Sequence, residues 1–290
     1  MANTVAVVFD FDDTLVPDST SLLLKQHGID PDVFWQKDLK ALLSNGYDPT
    51  LGFLKLFLDN VGDGRPLGLL SNAGLTDFGR TLDKHFHEGL PDFFEDLRRI
   101  GMDNSVAVEF YIISGGLQAV IEGSEIVRKH FQSVYGCVLA ETGQPPRLDH
   151  VKRAINFTEK TRYIFEINKG ITPKQALKKP YAVNEDVPKR QRPVPLKNMI
   201  YVGDGLTDIP CFSLIKNNGG LAFGVFDPAN EAKAKRALLE FLTPGRVVSM
   251  NAPRYGRGQE LGALLRAAVA QVCARLLIER RSVEPAEEDE

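Results

Sequence analysis

Short apolar runs rich in β-branched residues alternate with helix-like segments along most of this 290-residue chain. Such runs indicate buried strands, and helices between consecutive strands are typical of the crossovers that join parallel strands. The alternation therefore predicts an α/β fold, with a parallel sheet covered by helices. The predicted strands are residues 4–9, 106–113, 134–139, 198–202, 220–225 and 246–249, and the predicted helices are 117–131, 158–168, 206–216, 229–241 and 259–278.

One interval interrupts the alternation. Between residues 18 and 88, helical periodicities follow one another with no convincing strand between them, which indicates a helical insertion after the first strand. The predicted domains are therefore an α/β core of residues 1–17 and 89–281 and a helical insertion of residues 18–88. Residues 282–290 are acidic and lack bulky apolar side chains, so we expect a flexible tail.

Composition argues against several classes of partner. The 35 basic and 38 acidic residues give a net charge of -3, without the basic excess typical of nucleic-acid binding. Three widely spaced cysteines without a CxxC pair indicate neither a disulfide framework nor a thiolate metal site. The N-terminus has no positive run, and its apolar stretch is interrupted at Asp10, unlike a signal peptide or membrane span. We expect a cytoplasmic protein that binds neither nucleic acid nor membrane, and the oligomeric state stays open.

Three carboxylates crowd the end of the first predicted strand, in Asp10-Phe-Asp12-Asp13-Thr14. Two carboxylates about 4 Å apart repel by about 1 kcal/mol in water and by about 4 kcal/mol at an effective dielectric near 20. A divalent cation would relieve this repulsion, and oxygen ligands suit Mg²⁺. Aspartate is also an accepted nucleophile for forming an acyl phosphate. The alternative is a solvated acidic turn.

Glycines follow two other predicted strands. Ser114-Gly115-Gly116 lies between a strand and a helix, where a hydroxyl and backbone N–H groups at a helix N-terminus would form a phosphate cradle. A plain tight turn is the alternative. The strand ending at Val202 leads into Gly203-Asp204-Gly205-Leu-Thr-Asp208, which places Asp204 at the strand end and Asp208 near the first turn of the next helix. Asp208 is otherwise explained as an acid that stabilises the helix dipole.

Two lysines are candidates for contacting a phosphate. Lys169 precedes Gly170 in a last helical turn, where local energetics already favour a cation. Lys160 lies in a first turn, where the helix dipole disfavours its charge, so we prefer Lys160 for function over a plain surface lysine. The basic, Pro-rich stretch 178–195 predicts a long surface loop, either meeting an anionic substrate or, as we favour, merely solvated.

The order of these motifs resembles the haloacid dehalogenase superfamily. The matching positions are Asp10-x-Asp12-x-Thr14, then Ser114, then a lysine, then Gly203-Asp204-Gly205-x-x-Asp208. The resemblance covers residues 4–16 and 89–250. It implies a Rossmann-like core, and the helical insertion resembles the C1-type cap of the phosphoserine-phosphatase-like branch.

The resemblance also implies a role for each position. Asp10 would be the nucleophile and a metal ligand, and Asp12 the general acid and base whose backbone carbonyl also binds the metal. Asp204 would complete a Mg²⁺ site with Asp208 in support. A second group would hold the substrate: Ser114 and Lys160 as catalytic contacts to the phosphoryl group, with Gly115 beside them and Thr14 supporting the first loop.

These roles imply a Mg²⁺-dependent phosphatase that hydrolyses a small-molecule phosphate monoester through an aspartyl phosphate on Asp10. The alternatives are a phosphotransferase or phosphomutase of the same superfamily and a non-catalytic metal-binding regulatory protein. A receiver-like switch is disfavoured, because such domains are far shorter and carry no helical cap. The substrate stays open. Some cations of the insertion could meet a charged leaving group, although each is more typical of a solvated surface. They are Lys25, His27, Lys37, Lys40 and Lys55.

Overall fold

A single seven-stranded sheet, in the order β4-β3-β2-β1-β5-β6-β7, forms the centre of the computed structural model. The structure describes residues 3–282, apart from the side chains of residues 232, 233 and 236; the predicted tail beyond residue 282 lies outside this range. The strands are β1 (Thr4–Phe9), β2 (Ala107–Leu117), β3 (Ser133–Thr142), β4 (Arg147–Arg153), β5 (Met199–Gly203), β6 (Leu221–Val225) and β7 (Ser249–Asn251).

The predicted α/β class is confirmed, with two corrections at the sheet edges. All neighbouring strands pair in parallel except β4, which pairs antiparallel with β3. The sequence analysis missed β4 because polar residues interrupt its apolar ones, unlike the continuous apolar run of a strand buried on both faces. The last strand lies at Ser249–Asn251 instead of 246–249, because these three residues are the ones that pair with β6.

Helices follow the strands of the core. They are α5 (Asp92–Asp103), α6 (Gln118–Gly123), α7 (Glu125–His130), α8 (Phe157–Lys169), α9 (Pro173–Lys178), α10 (Ile209–Asn217), α11 (Glu231–Ala237) and α12 (Glu260–Arg281). Between α9 and β5, the predicted loop contains only single 3-10 turns. Within the described residues, α12 alone is long and apolar enough to cross a membrane, but its buried residues pack against α5 and β1.

Between β1 and α5 the described chain is helical or turns. The helices are α1 (Ser19–Gln26), α2 (Lys40–Ser44), α3 (Pro49–Asp59) and α4 (Asn72–Arg80), with a π-helical segment at Val33–Leu39 and a 3-10 helix at Thr81–His85. Asp48 caps α3 by accepting a hydrogen bond from Leu51 N at 3.0 Å, and Pro49 begins it. Helix α3 also contacts β4, while α4 packs on α6 of the core. The insertion thus contacts the core at several places, since α1 also meets β2.

Candidate active site

Three adjacent strands end at the same edge of the sheet. Phe9, the last residue of β1, pairs with Ile112 of β2 on one side and with Val202 of β5 on the other. The residues just beyond these pairs therefore lie side by side at the carboxyl edge, where ligands bind in open α/β sheets. The order of the strands reverses at this point, because β2, β3 and β4 lie on one side of β1 and β5, β6 and β7 lie on the other. Two of the predicted carboxylates, Asp10 and Asp204, meet here.

Asp10 is held from two sides. Its Oδ1 accepts a hydrogen bond from the backbone N–H of Phe11 at 2.7 Å, and its Oδ2 accepts one from Lys160 Nζ at 2.8 Å. Lys160 comes from the first turn of α8, which Asn156 caps through the N–H groups of Thr158 and Glu159. Lys160 is 150 residues from Asp10 in the sequence but contacts it directly in the structure. This position agrees with the preference for Lys160 as a site residue.

Asp208 lies on the other side of the same lysine. Its Oδ1 accepts hydrogen bonds from Lys160 Nζ at 2.7 Å and from the Tyr201 hydroxyl at 2.7 Å, and its Oδ2 accepts one from Gly205 N at 3.0 Å. Gly203 is needed for this placement, because a Cβ at that position would lie 2.6 Å from Asp208 Cγ. We call the buried set of Asp10, Lys160, Tyr201 and Asp208 the floor of the site.

Three residues of the floor have strongly shifted pKa values. Burial raises the pKa of Asp10 to about 6, with Lys160 opposing the shift and Asp208 adding to it. Burial by itself would lower the pKa of Lys160, but the charges of Asp10 and Asp208 raise it overall, so the lysine stays a cation. Burial and the Asp208 carboxylate raise the pKa of Tyr201, which therefore remains a hydrogen-bond donor.

Asp204 completes a cluster suited to a cation. One carboxylate oxygen from each of Asp10, Asp204 and Asp208 lies within 4.8 Å of the others. Burial, followed by the charges of Asp10 and Asp208, raises the pKa of Asp204 well above its usual range. Unlike its two neighbours, the Asp204 side chain accepts no hydrogen bond from any residue in the described range. An uncompensated carboxylate beside two others is a donor set that fits a hard divalent ion such as Mg²⁺.

Asp12 lies beside the cluster rather than in it. Its Oδ1 accepts a hydrogen bond from Ser19 N at 2.8 Å. Burial, then the charge of Asp18, raises the pKa of Asp12 to about 8, so this carboxyl keeps its proton at neutral pH. Its Oδ2 occupies the space beside Gly116, where an added Cβ would lie only 2.6 Å away. Gly116 therefore lets the Asp12 carboxyl reach into the site.

The prediction that Ser114 stands at a helix N-terminus was wrong. Strand β2 continues through Leu117, and α6 begins only at Gln118. Ser114 Oγ is buried and accepts a hydrogen bond from Gly116 N at 3.0 Å. The strand continues because it still pairs with β3 beyond an irregularity between Ile113 and Leu117.

A pocket of about 300 Å³ opens above these groups. Ser114 and Gly115 line it, whereas Thr14 is fully buried beneath the first loop, where its carbonyl accepts a hydrogen bond from the Tyr255 hydroxyl at 2.8 Å. Lys169 lies elsewhere and donates to the carbonyls of Val183 and Glu185. The full lining is Asp10, Asp12, Asp13, Asp18, Thr20, Trp35, Leu39, Pro49, Thr50, Phe53, Ser114, Gly115, Gly116, Asp204 and Thr207.

Part of the pocket lining comes from the insertion. We call Trp35, Leu39 and Phe53 the wall. The sequence analysis named neither the wall nor Tyr201, because a tryptophan or phenylalanine at helical spacing and a tyrosine inside a strand are typical of any core. Gly116 was named only within its motif, and the need for a glycine there becomes visible only from the nearby Asp12 carboxylate.

Three comparisons place this geometry among known proteins. The chain is 31% identical over 239 residues to an uncharacterized protein of Borreliella burgdorferi, covering 74% of this chain and 79% of that protein, and the two belong to one family. No family model matches the chain. Among solved structures, a HAD family hydrolase of Salmonella enterica serovar Typhi superposes with a TM-score of 0.55 at 15% identity, covering 92% of this chain and 71% of that one. A probable phosphoserine phosphatase of Vibrio cholerae superposes with a TM-score of 0.52 at 14% identity, covering 95% and 67%.

The chain has a haloacid dehalogenase-like fold of the phosphoserine-phosphatase type. This confirms the resemblance drawn from the four motifs. The haloacid dehalogenase-like core brings residues from motifs far apart in sequence to one edge of the sheet, and Lys160, the least specific of the matches, contacts both Asp10 and Asp208.

Proposed function

We propose that this protein is a Mg²⁺-dependent phosphatase that hydrolyses a small-molecule phosphate monoester through an aspartyl phosphate on Asp10. The observation that carries the proposal is the position of Asp10. Its carboxylate borders the pocket, is bonded to the buried Lys160, and has Asp12 beside it and Asp204 within reach of the same cation. Such a site combines a nucleophile, a proton donor and positive charge.

In the first step, a carboxylate oxygen of Asp10 forms a bond to phosphorus while the bond from phosphorus to the leaving oxygen breaks. Asp12, whose carboxyl borders the same pocket, gives its proton to the leaving oxygen, so the product departs as an alcohol. Lys160 holds Asp10 in place at 2.8 Å and offsets negative charge that accumulates around the phosphoryl group.

In the second step, water attacks the phosphorus of the aspartyl phosphate. Asp12, now ionised, takes a proton from this water, and the bond between phosphorus and the Asp10 oxygen breaks. Inorganic phosphate leaves and both aspartates return to their starting states. Ser114 and Gly115, which border the pocket, are the proposed contacts for the non-reacting phosphoryl oxygens.

Asp10, Asp204 and Asp208 would hold Mg²⁺, together with the backbone carbonyl of Asp12. The ion would supply positive charge that neutralises the phosphate as the anionic Asp10 approaches. Residues 18–88, which contribute the wall, are the proposed cap.

The test is release of inorganic phosphate from an aryl phosphate and from a metabolite panel, with and without Mg²⁺, by the native protein and by Asp10→Asn. We expect release that requires Mg²⁺, is abolished by a chelator and is absent in Asp10→Asn. Equal release by native and variant proteins would overturn the proposal. In the presence of an added acceptor alcohol, equal amounts of phosphate and product alcohol support hydrolysis, whereas a deficit of phosphate supports the phosphotransferase alternative.

A further inference from the structure

The wall of the pocket is apolar and rigidly placed. Trp35 packs edge-on against Phe34, with ring centroids 4.9 Å apart, and lies 5.3 Å from Phe53. Its indole Nε1 donates a hydrogen bond to Ser21 Oγ at 2.8 Å. Leu39 contributes the adjoining apolar surface. These contacts hold the indole in its orientation on the wall.

All ionisable side chains on the described pocket lining are acidic. They are Asp10, Asp12, Asp13, Asp18 and Asp204, and no Lys, Arg or His occurs among the described lining residues. Lys160 is absent from the lining, and its ammonium group bonds to Asp10 and Asp208. The Asp18 carboxylate is held at the start of α1, where it accepts hydrogen bonds from the backbone N–H and the hydroxyl of Ser21.

The cations of the insertion lie elsewhere. Lys25, Lys37 and Lys40 are exposed to solvent, and Lys55 forms an ion pair with Asp59 at 2.5 Å on α3. None of them borders the pocket. A second anionic group on the substrate would therefore meet carboxyl groups and aromatic rings, with no Lys, Arg or His of the described lining to pair with it. Such an arrangement is unfavourable in a partly desolvated site.

We infer that the leaving alcohol of the substrate presents an apolar face to Trp35, Leu39 and Phe53 and carries no negative charge of its own. This inference rests on the proposed function and narrows it. It selects against phosphorylated hydroxy acids and bisphosphates, and so against phosphoserine, whose carboxylate has no cationic partner on this lining.

The test compares esters that differ only in charge. Phenyl, para-carbamoylphenyl and para-carboxyphenyl phosphates share one ring, and the last two are nearly equal in size. Phosphoethanolamine and phosphoserine differ by one carboxylate. With Mg²⁺ present, we expect kcat/KM for the carboxyphenyl ester to be about tenfold below that for the carbamoylphenyl ester, mainly through KM, and the same direction for phosphoserine against phosphoethanolamine.

Substitution of one wall residue tests the cause. Leu39→Lys places a cation on the wall, and we expect it to reduce the discrimination against the carboxyphenyl ester about threefold or more. Leu39→Gln removes the same apolar contact without adding charge, and Leu43→Lys adds the charge at an exposed position of α2 outside the lining. Both should keep the native discrimination, and thermal melting checks that each variant is folded.

Two results would overturn the inference. Native protein that hydrolyses the carboxyphenyl ester as well as its carbamoyl analogue, and phosphoserine as well as phosphoethanolamine, would show that the wall does not select against charge while leaving the phosphatase function intact. Failure to release phosphate from any of the five esters would overturn the proposed function, and this inference with it.

Discussion

The floor and the wall meet at one pocket, which Asp10 and the three wall residues line, but they are stabilised in different ways. On the floor, Asp10, Lys160, Tyr201 and Asp208 are buried, and each bonds to another member. On the wall, the side chains are apolar, Phe53 is buried while Trp35 and Leu39 are partly buried, and the single polar atom of Trp35 bonds to Ser21. The floor therefore depends on every partner being present, whereas the wall depends on contact area.

This difference separates two properties. A change in a buried, fully bonded network leaves an unpaired charge and affects both folding and chemistry. A change in the wall alters the apolar surface offered to a substrate, with a smaller effect on the phosphoryl transfer itself. Under the proposed function, the catalytic step would therefore depend on the core and the selection of the leaving group on the insertion.

The largest effect is expected from Lys160→Met, which keeps the length of the side chain and removes its charge. Asp10 and Asp208 would lose their shared cation, which costs about 3–5 kcal/mol in free energy of unfolding for a broken buried pair. Phosphatase activity should fall by about a thousandfold or more. Urea denaturation and phosphate release are the measurements, with and without Mg²⁺.

Lys169→Met is the matched control for that variant. Lys169 lies on the same helix but donates only to the backbone carbonyls of Val183 and Glu185. Its loss should leave activity near the native level. Equal losses of activity in Lys160→Met and Lys169→Met would contradict the proposal that activity depends specifically on the floor.

The site residues of the core could be predicted from the sequence, but the wall residues could not. Asp10, Asp12 and Asp204 follow the ends of strands whose apolar runs are unmistakable, and strand ends at one edge of a parallel sheet must converge. Two features of the sheet could not be predicted: edge strand β4, whose apolar pattern is interrupted, and the extension of β2 through Ser114. Both depend on pairing with β3, and the periodicity of a single segment does not reveal its pairing with another.

The wall could not be predicted for a related reason. The orientation of Trp35 depends on Ser21 and Phe53, which lie 14 and 18 positions away and belong to separate helices. The five cations named in the sequence analysis were reasonable candidates by composition, yet the structure directs none of them to the pocket. Which face of an inserted helix meets the core is decided by packing between helices rather than by composition.

Gly116→Ala should produce the next largest effect, because it disturbs the boundary between floor and pocket without removing any functional group. The new methyl carbon would lie 2.6 Å from Asp12 Oδ2 and 3.2 Å from Ser114 Oγ, so the Asp12 carboxyl must move. We expect kcat to fall about a hundredfold, as for other displacements of about 1 Å in a catalytic group. Steady-state kinetics on an aryl phosphate measures it.

Gly115→Ala provides the comparison. A Cβ there meets nothing closer than the Ile155 carbonyl at 3.7 Å, an ordinary van der Waals contact, and the backbone N–H is retained. Its loss of kcat should be much smaller than that of Gly116→Ala. The reverse order would show that the position of Asp12 does not limit turnover.

On the wall, Trp35→Ala should raise KM for an aryl phosphate about tenfold and change kcat little, because it removes apolar contact area without touching the reacting groups. Trp35→Phe keeps a ring but loses the hydrogen bond to Ser21, so it separates ring contact from ring orientation. We expect a smaller rise for the phenylalanine variant. A fall in kcat with unchanged KM in Trp35→Ala would contradict the assignment of the wall to substrate binding.

The smallest effect concerns a buried polar group far from the pocket. His130 is almost fully buried, with Arg98 NH1 3.0 Å from its Nδ1, the Glu95 carboxylate 3.6 Å away and the Phe94 ring packed against it. Burial, followed by the charges of Arg98 and Lys129 and opposed by Glu95, lowers the pKa of His130 below 6.5.

The unfolded chain therefore binds a proton at this histidine more readily than the folded chain, so stability present above about pH 6.5 is lost as the pH falls through the lowered pKa. The native protein should therefore lose unfolding free energy when the pH is lowered from about 7.5 to about 5.5. We expect this loss to be smaller in His130→Gln, by less than about 1 kcal/mol. Urea denaturation of each protein at the two pH values measures this loss. Any destabilisation by the substitution that is the same at both pH values cancels in the comparison. His150→Gln, at an exposed histidine, should keep the native pH dependence. If His130→Gln also kept it, the pH response of stability would come from other buried groups whose pKa values are shifted, such as His87 and Asp10.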